Sequence, residues 1–204
     1  MNPAARVWSM VAALLLLSAV LQFSGLTPLL RYSHDAIAAG EIWRLITGHL
    51  LHLGAAHFLL NAVGMVLAAA LVGAQLRPLG WACVWLICAL SVSAGLWFLQ
   101  PGVSWYVGLS GVLHGLIVAG AVTALGDYRE RLFAAAILVA IAAKLGWEQW
   151  NGAMPGTAEL AGGSVVTEAH LYGAMGGLVA GLAVLASRRL RETRPHDRDS
   201  RDAE

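Results

Sequence analysis

A serine stands between glycines in residues 105–115, which read WYVGLSGVLHG at the start of a long apolar segment. Gly108 precedes Ser110 by two residues, and Gly111 follows it directly. Glycine leaves the backbone open to close approach by another chain, which a nucleophilic hydroxyl needs and a packing serine does not. Small residues with a serine are also common where transmembrane helices touch. This stretch alone therefore leaves a nucleophile and a packing residue as open alternatives.

Two histidines stand at comparable positions in other apolar segments. His57 lies at the start of the second segment, with Asn61 one helical turn later on the same face, and His170 lies near the start of the sixth. Polar groups at similar depth on three helices are costly near lipid. We therefore expect these side chains and Ser110 to face one another and a water-accessible cavity.

The chemistry that these groups offer is acyl transfer. Ser110 would be the nucleophile, and His170 the general base that takes its proton and later protonates the leaving amine. The backbone N–H of Ser110 and the side chains of His57 and Asn61 are candidate donors to the developing oxyanion. Glu168 is two residues from His170 and so points elsewhere on a helix. The sequence therefore favours a Ser–His dyad over a triad.

The whole composition is that of a membrane protein with several spans. Of 204 residues, 58% are hydrophobic and 12% are charged, and the mean hydropathy is +0.68. The length fits one domain. Cys83 and Cys88 share one apolar segment, where helical geometry points them to different faces, which predicts two packing residues and no disulfide between them.

Six apolar runs are each about long enough to cross a bilayer. They cover residues 7–23, 57–76, 80–99, 110–125, 132–150 and 165–187. The first lacks a convincing cleavage site and is interpreted as an uncleaved helix. Residues 25–56 are too polar to span and too hydrophobic for a free loop, which predicts short amphipathic pieces in the interface. The fold class is thus an all-α membrane protein, with a six-helix domain over residues 1–187 and a polar, disordered tail over 188–204.

Glycine spacing predicts which helices bring the candidate groups together. Small residues recur every four positions in the fourth and sixth spans, namely Gly111, Gly115 and Ala119 in one and Gly173, Gly177 and Gly181 in the other. Such stripes allow close approach of two helix backbones. Packing of one stripe against the other would bring Ser110 within reach of His170.

The arginines predict the orientation of the chain. Six-span threading places one group of them on a single side: Arg6, Arg77, Arg129, Arg131, Arg188, Arg189, Arg191 and Arg194. Arg31 and Arg44 fall on the other side. Because arginine is enriched in cytoplasmic loops, both termini are predicted to be cytoplasmic. The interfacial aromatic belts would contain Trp81 at one boundary and Trp97, Trp105, Trp147 and Trp150 at the other.

Taken together, these residues resemble the rhomboid family of intramembrane serine proteases, over nearly the whole chain. The matching motifs are Glu41-x-Trp43-Arg44, His57-x-x-x-Asn61, Gly108-x-Ser110-Gly111 and Ala169-His170-x-x-Gly173. The resemblance implies a compact six-helix bundle whose short fourth helix starts in a water-filled cavity open to the outside. It also implies cleavage of transmembrane substrates near their outer end, without a metal or other cofactor.

Two stretches look like the rhombosortase branch of that family, residues 108–115 and residues 168–172. The resemblance implies substrates with a C-terminal anchor, made of a Gly-Gly-type motif, one membrane helix and a basic tail. It also implies a multi-pass protein of the bacterial inner membrane whose active site opens to the periplasm. Many rhomboids carry a tyrosine one turn after the serine, stacked on the catalytic imidazole. This sequence has His114 there, either as a packed polar residue or as a site member beside His170.

Several polar residues have structural interpretations. Metal binding by His49, His52 and His57 is not favoured, because their spacing is irregular and no cysteine or acidic residue stands at a ligand offset. The resemblance implies that His52 hydrogen-bonds within its loop. Lys144 and Glu148 are one turn apart, which predicts a surface ion pair with a snorkelling lysine.

Three functions are compatible with these residues, and nucleic-acid binding is not favoured. The first is the rhomboid-type protease, and the second is an inactive rhomboid-like protein that binds transmembrane clients. The third is a cytochrome-like or transport protein that uses the intramembrane histidines. The arginines of the tail fit orientation and contact with anionic lipid better than nucleic-acid binding. In the rhomboid interpretation Trp43 is an interfacial anchor and Arg44 a capping cation.

Overall fold

The computed structural model describes residues 2–192, and in that part the chain forms a bundle of helices. The α-helices are α1 (Pro3–Phe23), α2 (Thr27–Leu30), α3 (His34–Ala38), α4 (Arg44–Thr47), α5 (Ala55–Val72), α6 (Pro78–Leu99), α7 (Ser110–Ala124), α8 (Arg131–Asn151), α9 (Thr157–Ala161) and α10 (Thr167–Glu192). Short 3₁₀ helices cover Gly48–Leu50 and Gly73–Gln75. Two strands, β1 (Tyr32–Ser33) and β2 (Trp105–Tyr106), pair antiparallel.

Five of the described helices are long and apolar enough to cross a membrane. The candidate spans are Ala4–Phe23, Ala55–Gln75, Pro78–Leu99, Arg131–Asn151 and Thr167–Leu190. Helix α7 has 15 residues, or roughly 22 Å at 1.5 Å per residue, against a hydrocarbon core of about 30 Å. The all-α membrane fold is thereby confirmed. The count of six spans stays a prediction, because α7, the fourth predicted span, is shorter than the five candidate spans.

Helix α7 lies at the centre of the bundle, in contact with α5, α6, α8 and α10. Twelve of its 15 residues are buried. A helix that is surrounded by protein needs no polar face, which explains why its sequence is apolar all round. Ser110 begins this central helix, and α5 and α10 begin close to the same end of the bundle, called the upper end below.

The predicted glycine contact between α7 and α10 is confirmed. The facing pairs are Gly111 with Gly173, Gly115 with Gly177, and Ala119 with Gly181. A Cβ atom added at Gly173 would overlap the backbone carbonyl of Gly111, and one added at Gly177 would overlap that of Gly115. The two helix backbones are therefore in direct contact, as small-residue helix contacts in membranes allow. This contact between α7 and α10 is called the glycine seam below.

The segment between α1 and α5 consists of short helices, as its mixed polarity predicts. Its position is fixed by Arg44, which is buried and donates through Nη1 to the carbonyls of Pro28 and Arg31, at 2.9 Å each. Arg44 also pairs with Glu41 at 2.6 Å. Arg44 thus supplies a cationic donor to carbonyls at the end of the short helix α2 that have no partner within the helix. Trp43 is half-exposed, and its indole N–H donates to the Leu29 carbonyl at 3.3 Å.

The position of Trp81 differs from the prediction, whereas the positions of the two cysteines agree with it. Trp81 does not stand in an exposed belt, because it is buried and its indole N–H donates to the Gly73 carbonyl at 3.3 Å. Cys83 is exposed and Cys88 is buried, so the two cysteines point to different faces as predicted. Helix α10 continues past residue 187 to Glu192, and the prediction for the tail beyond it lies outside the described residues.

Candidate active site

Ser110 is the first residue of α7, and the turn that presents it depends on Gly108. The φ angle of Gly108 is +147°, which an L side chain rarely adopts. The N–H of Gly108 donates to the Gly48 carbonyl at 3.2 Å, and its own carbonyl accepts from the Tyr106 hydroxyl at 2.9 Å. The two peptide units that flank Gly108 are therefore both held by hydrogen bonds, which fixes the loop before the serine.

His170 reaches Ser110 from the first turns of α10. Its Nε2 lies 2.9 Å from the Ser110 Oγ. The His170 side chain is buried and the Ser110 side chain is half-buried. The glycine contact between α7 and α10 predicts this proximity, since Gly111 follows Ser110 directly and Gly173 lies about one helical turn after His170. The hydroxyl can donate to Nε2 whenever Nδ1 carries the imidazole proton.

Glu148 of α8 contacts the other side of the same imidazole. Its Oε2 lies 2.8 Å from His170 Nδ1, and its Oε1 lies 2.6 Å from Lys144 Nζ. The expectation that no carboxylate accompanies His170 is therefore wrong. The predicted pair of Lys144 and Glu148 is present, but Glu148 is only 2% exposed and is not a surface group. The carboxylate comes from a different helix than His170, which sequence spacing does not reveal.

His114 stacks on His170. The two ring centroids are 4.3 Å apart and the rings are inclined by 19°. Nδ1 of His114 lies 2.7 Å from the Ser110 carbonyl one turn earlier, to which it donates. His114 is thus held against the imidazole face by a bond within its own helix, and both alternatives for this residue apply: it is packed, and it lies beside His170.

His114, Glu148 and His170 also have ligand-type atoms within 4.8 Å of one another. A metal ion needs lone pairs that converge on one point, about 2.0–2.1 Å from each histidine nitrogen. The two imidazoles are nearly parallel, so the lone pairs in their ring planes do not converge. The Nδ1 atoms of both histidines already have hydrogen-bond partners. The arrangement therefore fits proton transfer at Ser110 better than metal binding.

His57 and Asn61, the two side-chain candidates for oxyanion donors, differ in their position relative to Ser110. The Leu53 N–H donates to Nδ1 of His57 at 3.2 Å, so Nε2 of His57 carries the proton. That nitrogen lies beside Gly108, and His57 lines a cavity together with Ser110. Asn61 is buried one turn below, donates its amide to the His57 carbonyl at 3.0 Å, and is outside the cavity lining.

The cavity opens at the upper end of the bundle and has a volume of about 400 Å³. Residues 162–166, which follow α9, form one wall, and β2 forms another. Most of the lining is apolar, and Ser110 and His57 are among its few polar groups. A mostly apolar cavity with a few convergent polar groups is typical of a binding site for a peptide or small molecule.

A family model for the Rhomboid domain matches residues 39–187, well over half of the chain. The chain belongs to the rhomboid family. Members of this family are in general intramembrane serine proteases, and inactive members exist. The chain matches no curated protein.

Two histidines of this rhomboid lie in the segment before α5, outside the spans. Nε2 of His49 lies 2.9 Å from the Ser93 hydroxyl, whereas in the described part of the chain neither ring nitrogen of His52 has a partner. The prediction that His52 hydrogen-bonds within its loop is thus wrong. Its ring packs edge-on against His57 and Phe58, and its backbone N–H donates to Gln22. Burial lowers the pKa of His49 to about 4 and that of His52 to about 3, so both are neutral at pH 7.

We expect unequal effects from substitution of His57 and of Asn61, the two side chains considered as oxyanion donors in this rhomboid. We expect His57→Ala to lower kcat by about 10²–10³, the usual loss for one oxyanion donor. Asn61→Ala should cost less than about tenfold, because Asn61 supports His57 from beneath and does not line the cavity. Steady-state cleavage of a purified anchored substrate measures both. Equal losses at the two positions would contradict this division of roles.

Proposed function

We propose that this rhomboid is an active intramembrane serine endopeptidase with Ser110 as nucleophile and His170 as general base. The single observation that carries the proposal is the 2.9 Å separation of Ser110 Oγ and His170 Nε2 at a cavity open to the upper end. An inactive protein that only binds transmembrane clients needs neither the serine nor the histidine. Family membership alone leaves both possibilities, since inactive members exist.

In the proposed reaction Ser110 Oγ attacks the carbonyl carbon of a substrate peptide, and its proton passes to Nε2 of His170. The C–N bond then breaks, and His170 returns the proton to the leaving amine. A water molecule then attacks the carbonyl carbon of the acyl-enzyme while His170 takes its proton. The ester bond to Ser110 Oγ breaks, and His170 returns the proton to that oxygen. The products are a new carboxyl terminus and a new amino terminus, and Ser110 is restored.

Oxyanion stabilisation has two proposed donors. Ser110 occupies the first position of α7, where backbone N–H groups have no partner within the helix and the helix dipole favours negative charge. The Nε2–H of His57, which lies beside Gly108 and lines the same cavity as Ser110, supplies the second donor. Both are fixed before the substrate binds, which is the arrangement that stabilises a transition state without reorganisation.

The proposed substrates are exported proteins with a C-terminal anchor of the rhombosortase type. A peptide carbonyl inside a helix is hydrogen-bonded, so a substrate must unwind before Ser110 can reach it. Glycine has a low helix propensity and therefore unwinds readily. A Gly-Gly motif at the outer end of an anchor helix suits this requirement.

The proposed placement follows the arginine distribution. The protein would span the bacterial inner membrane six times, with the short helix α7 as the fourth crossing and with both termini in the cytoplasm. The cavity would then open to the periplasm, where the substrate anchors end. The domain proposed for this activity covers residues 1–187.

A pair of substrates tests the proposed function. One carries a C-terminal Gly-Gly motif, one membrane helix and a basic tail, and the matched control replaces the two glycines by leucines. We expect the unmutated protein to cleave the first near the outer membrane face and to cleave the second at least tenfold more slowly. Equal cleavage of both would overturn the substrate assignment but leave the protease. Binding of anchors without any cleavage would support the client-binding alternative instead.

A further inference from the structure

We propose that Glu148 is a positioning residue that holds His170 in the tautomer and orientation needed for reaction with Ser110. The inference rests on the proposed protease function and extends it to a third side chain. It draws on a chain of contacts that begins at Lys144 on α8 and ends at Ser110 on α7.

The contacts run without interruption through four side chains. Lys144 Nζ lies 2.6 Å from one oxygen of Glu148, and the other oxygen lies 2.8 Å from Nδ1 of His170. Nε2 of that imidazole lies 2.9 Å from Ser110 Oγ. Because a carboxylate can only accept, Nδ1 must donate to it, which leaves the lone pair of Nε2 directed at the serine. This is the tautomer that a general base requires.

The burial of Glu148 is not explained by its ion pair. Lysine and glutamate one turn apart can pair at a helix surface, where both remain hydrated. Lys144 is in fact 33% exposed, whereas Glu148 is 2% exposed. Moving a carboxylate out of water is costly unless its oxygens find strong partners. The second partner of Glu148 is His170, and it lies on the buried side.

Helix α8 offers little else to account for an inward-facing carboxylate. Its buried residues are Ala134, Leu145 and Glu148. Among them Glu148 is the polar one. It links α8 to α10 at the upper end together with Gln149, whose amide donates to the Thr167 carbonyl at 3.4 Å. Removal of this carboxylate thus leaves the apolar contacts of α8 in place and changes chiefly what His170 experiences.

During the reaction the imidazole gains a proton from Ser110 and becomes a cation. The neighbouring carboxylate of Glu148 stabilises that cation by its charge, and it keeps Nδ1–H in place without taking the proton. The amide of a glutamine at position 148 can instead donate to Nδ1 of His170. That bond would favour the opposite tautomer, with a proton on Nε2 and no base facing the serine.

The test compares four variants in the full-length protein in detergent or bilayers: Glu148→Gln, Lys144→Met, the double variant Lys144→Met with Glu148→Met, and Glu168→Gln. Glu168 is the matched control, since it lies in the first turn of α10 and has no hydrogen bond or ion pair with His170 among the described residues. The readouts are kcat, KM, the rate of Ser110 labelling by a fluorophosphonate, and the thermal midpoint. The double variant removes both charges together, which preserves the fold if the single change does not.

We expect Glu148→Gln and the double variant to lower kcat and the labelling rate by about 10²–10⁴, with KM changed less than about threefold. Lys144→Met should cost less than about tenfold, and Glu168→Gln should match the unmutated protein. Glu148 variants that keep kcat within threefold of the unmutated protein would overturn this inference and leave the protease standing. So would losses in Lys144→Met equal to those in Glu148→Gln, because they would assign Glu148 a structural role only. An unmutated protein that cleaves no substrate would remove the proposed function and this inference with it.

Discussion

Alanine in place of Ser110 will abolish cleavage of anchored substrates, and alanine in place of His170 will cost as much. Either change removes one half of the nucleophile–base pair, whose loss in serine proteases lowers kcat by a factor on the order of 10⁶. The two atoms lie 2.9 Å apart and act on the same proton, so their effects should not add. Cleavage of a co-expressed Gly-Gly-anchored substrate, followed by gel electrophoresis, measures the single and double variants together.

Ser164→Ala provides the matched control, because Ser164 lines the same cavity but has no contact with His170 among the described residues. We expect it to retain cleavage within about threefold of the unmutated protein, as for a surface change. Residual cleavage in both Ser110→Ala and His170→Ala, at rates near that of the unmutated protein, would contradict the protease proposal.

A single methyl group at Gly173 will separate the two helices that carry the site. The added Cβ would overlap the carbonyl of Gly111, which belongs to the backbone and has no rotamer through which to move away. Overpacking of this kind costs about 1–3 kcal/mol, and it displaces Ser110 and His170 relative to each other. We expect Gly173→Ala to lower the thermal midpoint and to reduce cleavage at least 100-fold, since a misplacement of about 1 Å can cost 10² in rate.

Gly146 on α8 supplies the control for the same substitution. A Cβ there would meet nothing within 4 Å. Alanine is the better helix former by about 0.5–1 kcal/mol, so Gly146→Ala should leave the thermal midpoint unchanged or raise it. Opposite signs at the two positions would isolate the close helix contact as the cause. Equal midpoints for both variants would show that the seam does not depend on glycine.

The spans and the seam could be predicted because both depend on local patterns. An apolar run of bilayer length predicts a helix wherever it lies. Five of the six predicted segments coincide closely with the long helices found, and the fourth coincides with the shorter α7. The stripe of Gly173, Gly177 and Gly181 likewise marks a face by its four-residue spacing alone. The proximity of Ser110 and His170 follows from that one contact, since Ser110 directly precedes Gly111 and His170 lies about one helical turn before Gly173.

The third side chain could not be predicted because it depends on how α8 is rotated. Lys144 and Glu148 at a four-residue spacing fit a hydrated surface as well as a buried contact. The small residues of α8 are spread around the helix and do not mark its inward face. The prediction that Trp81 lies in an interfacial aromatic belt is wrong for a similar reason. An indole near a helix end can face lipid or protein, and only the position of the Gly73 carbonyl decides between them.

His114 illustrates what a motif can and cannot supply. Its position one turn after Ser110 places it on the same helix face, but the family pattern has a tyrosine there. The structure puts the His114 ring against His170 at a centroid separation of 4.3 Å. An imidazole thus occupies the stacking position, held by the carbonyl of Ser110 itself.

The most direct test of the account is labelling of the membrane-embedded protein with a tagged fluorophosphonate, followed by mass spectrometric mapping of the adduct. A serine beside a general base reacts with this probe, whereas a packing serine does not. We predict one adduct, on Ser110 of the unmutated protein, that is lost in His170→Ala and retained in Ser164→Ala. An adduct on another serine, or labelling of Ser110 that persists in full without His170, would contradict the claim that these two side chains form one nucleophilic site.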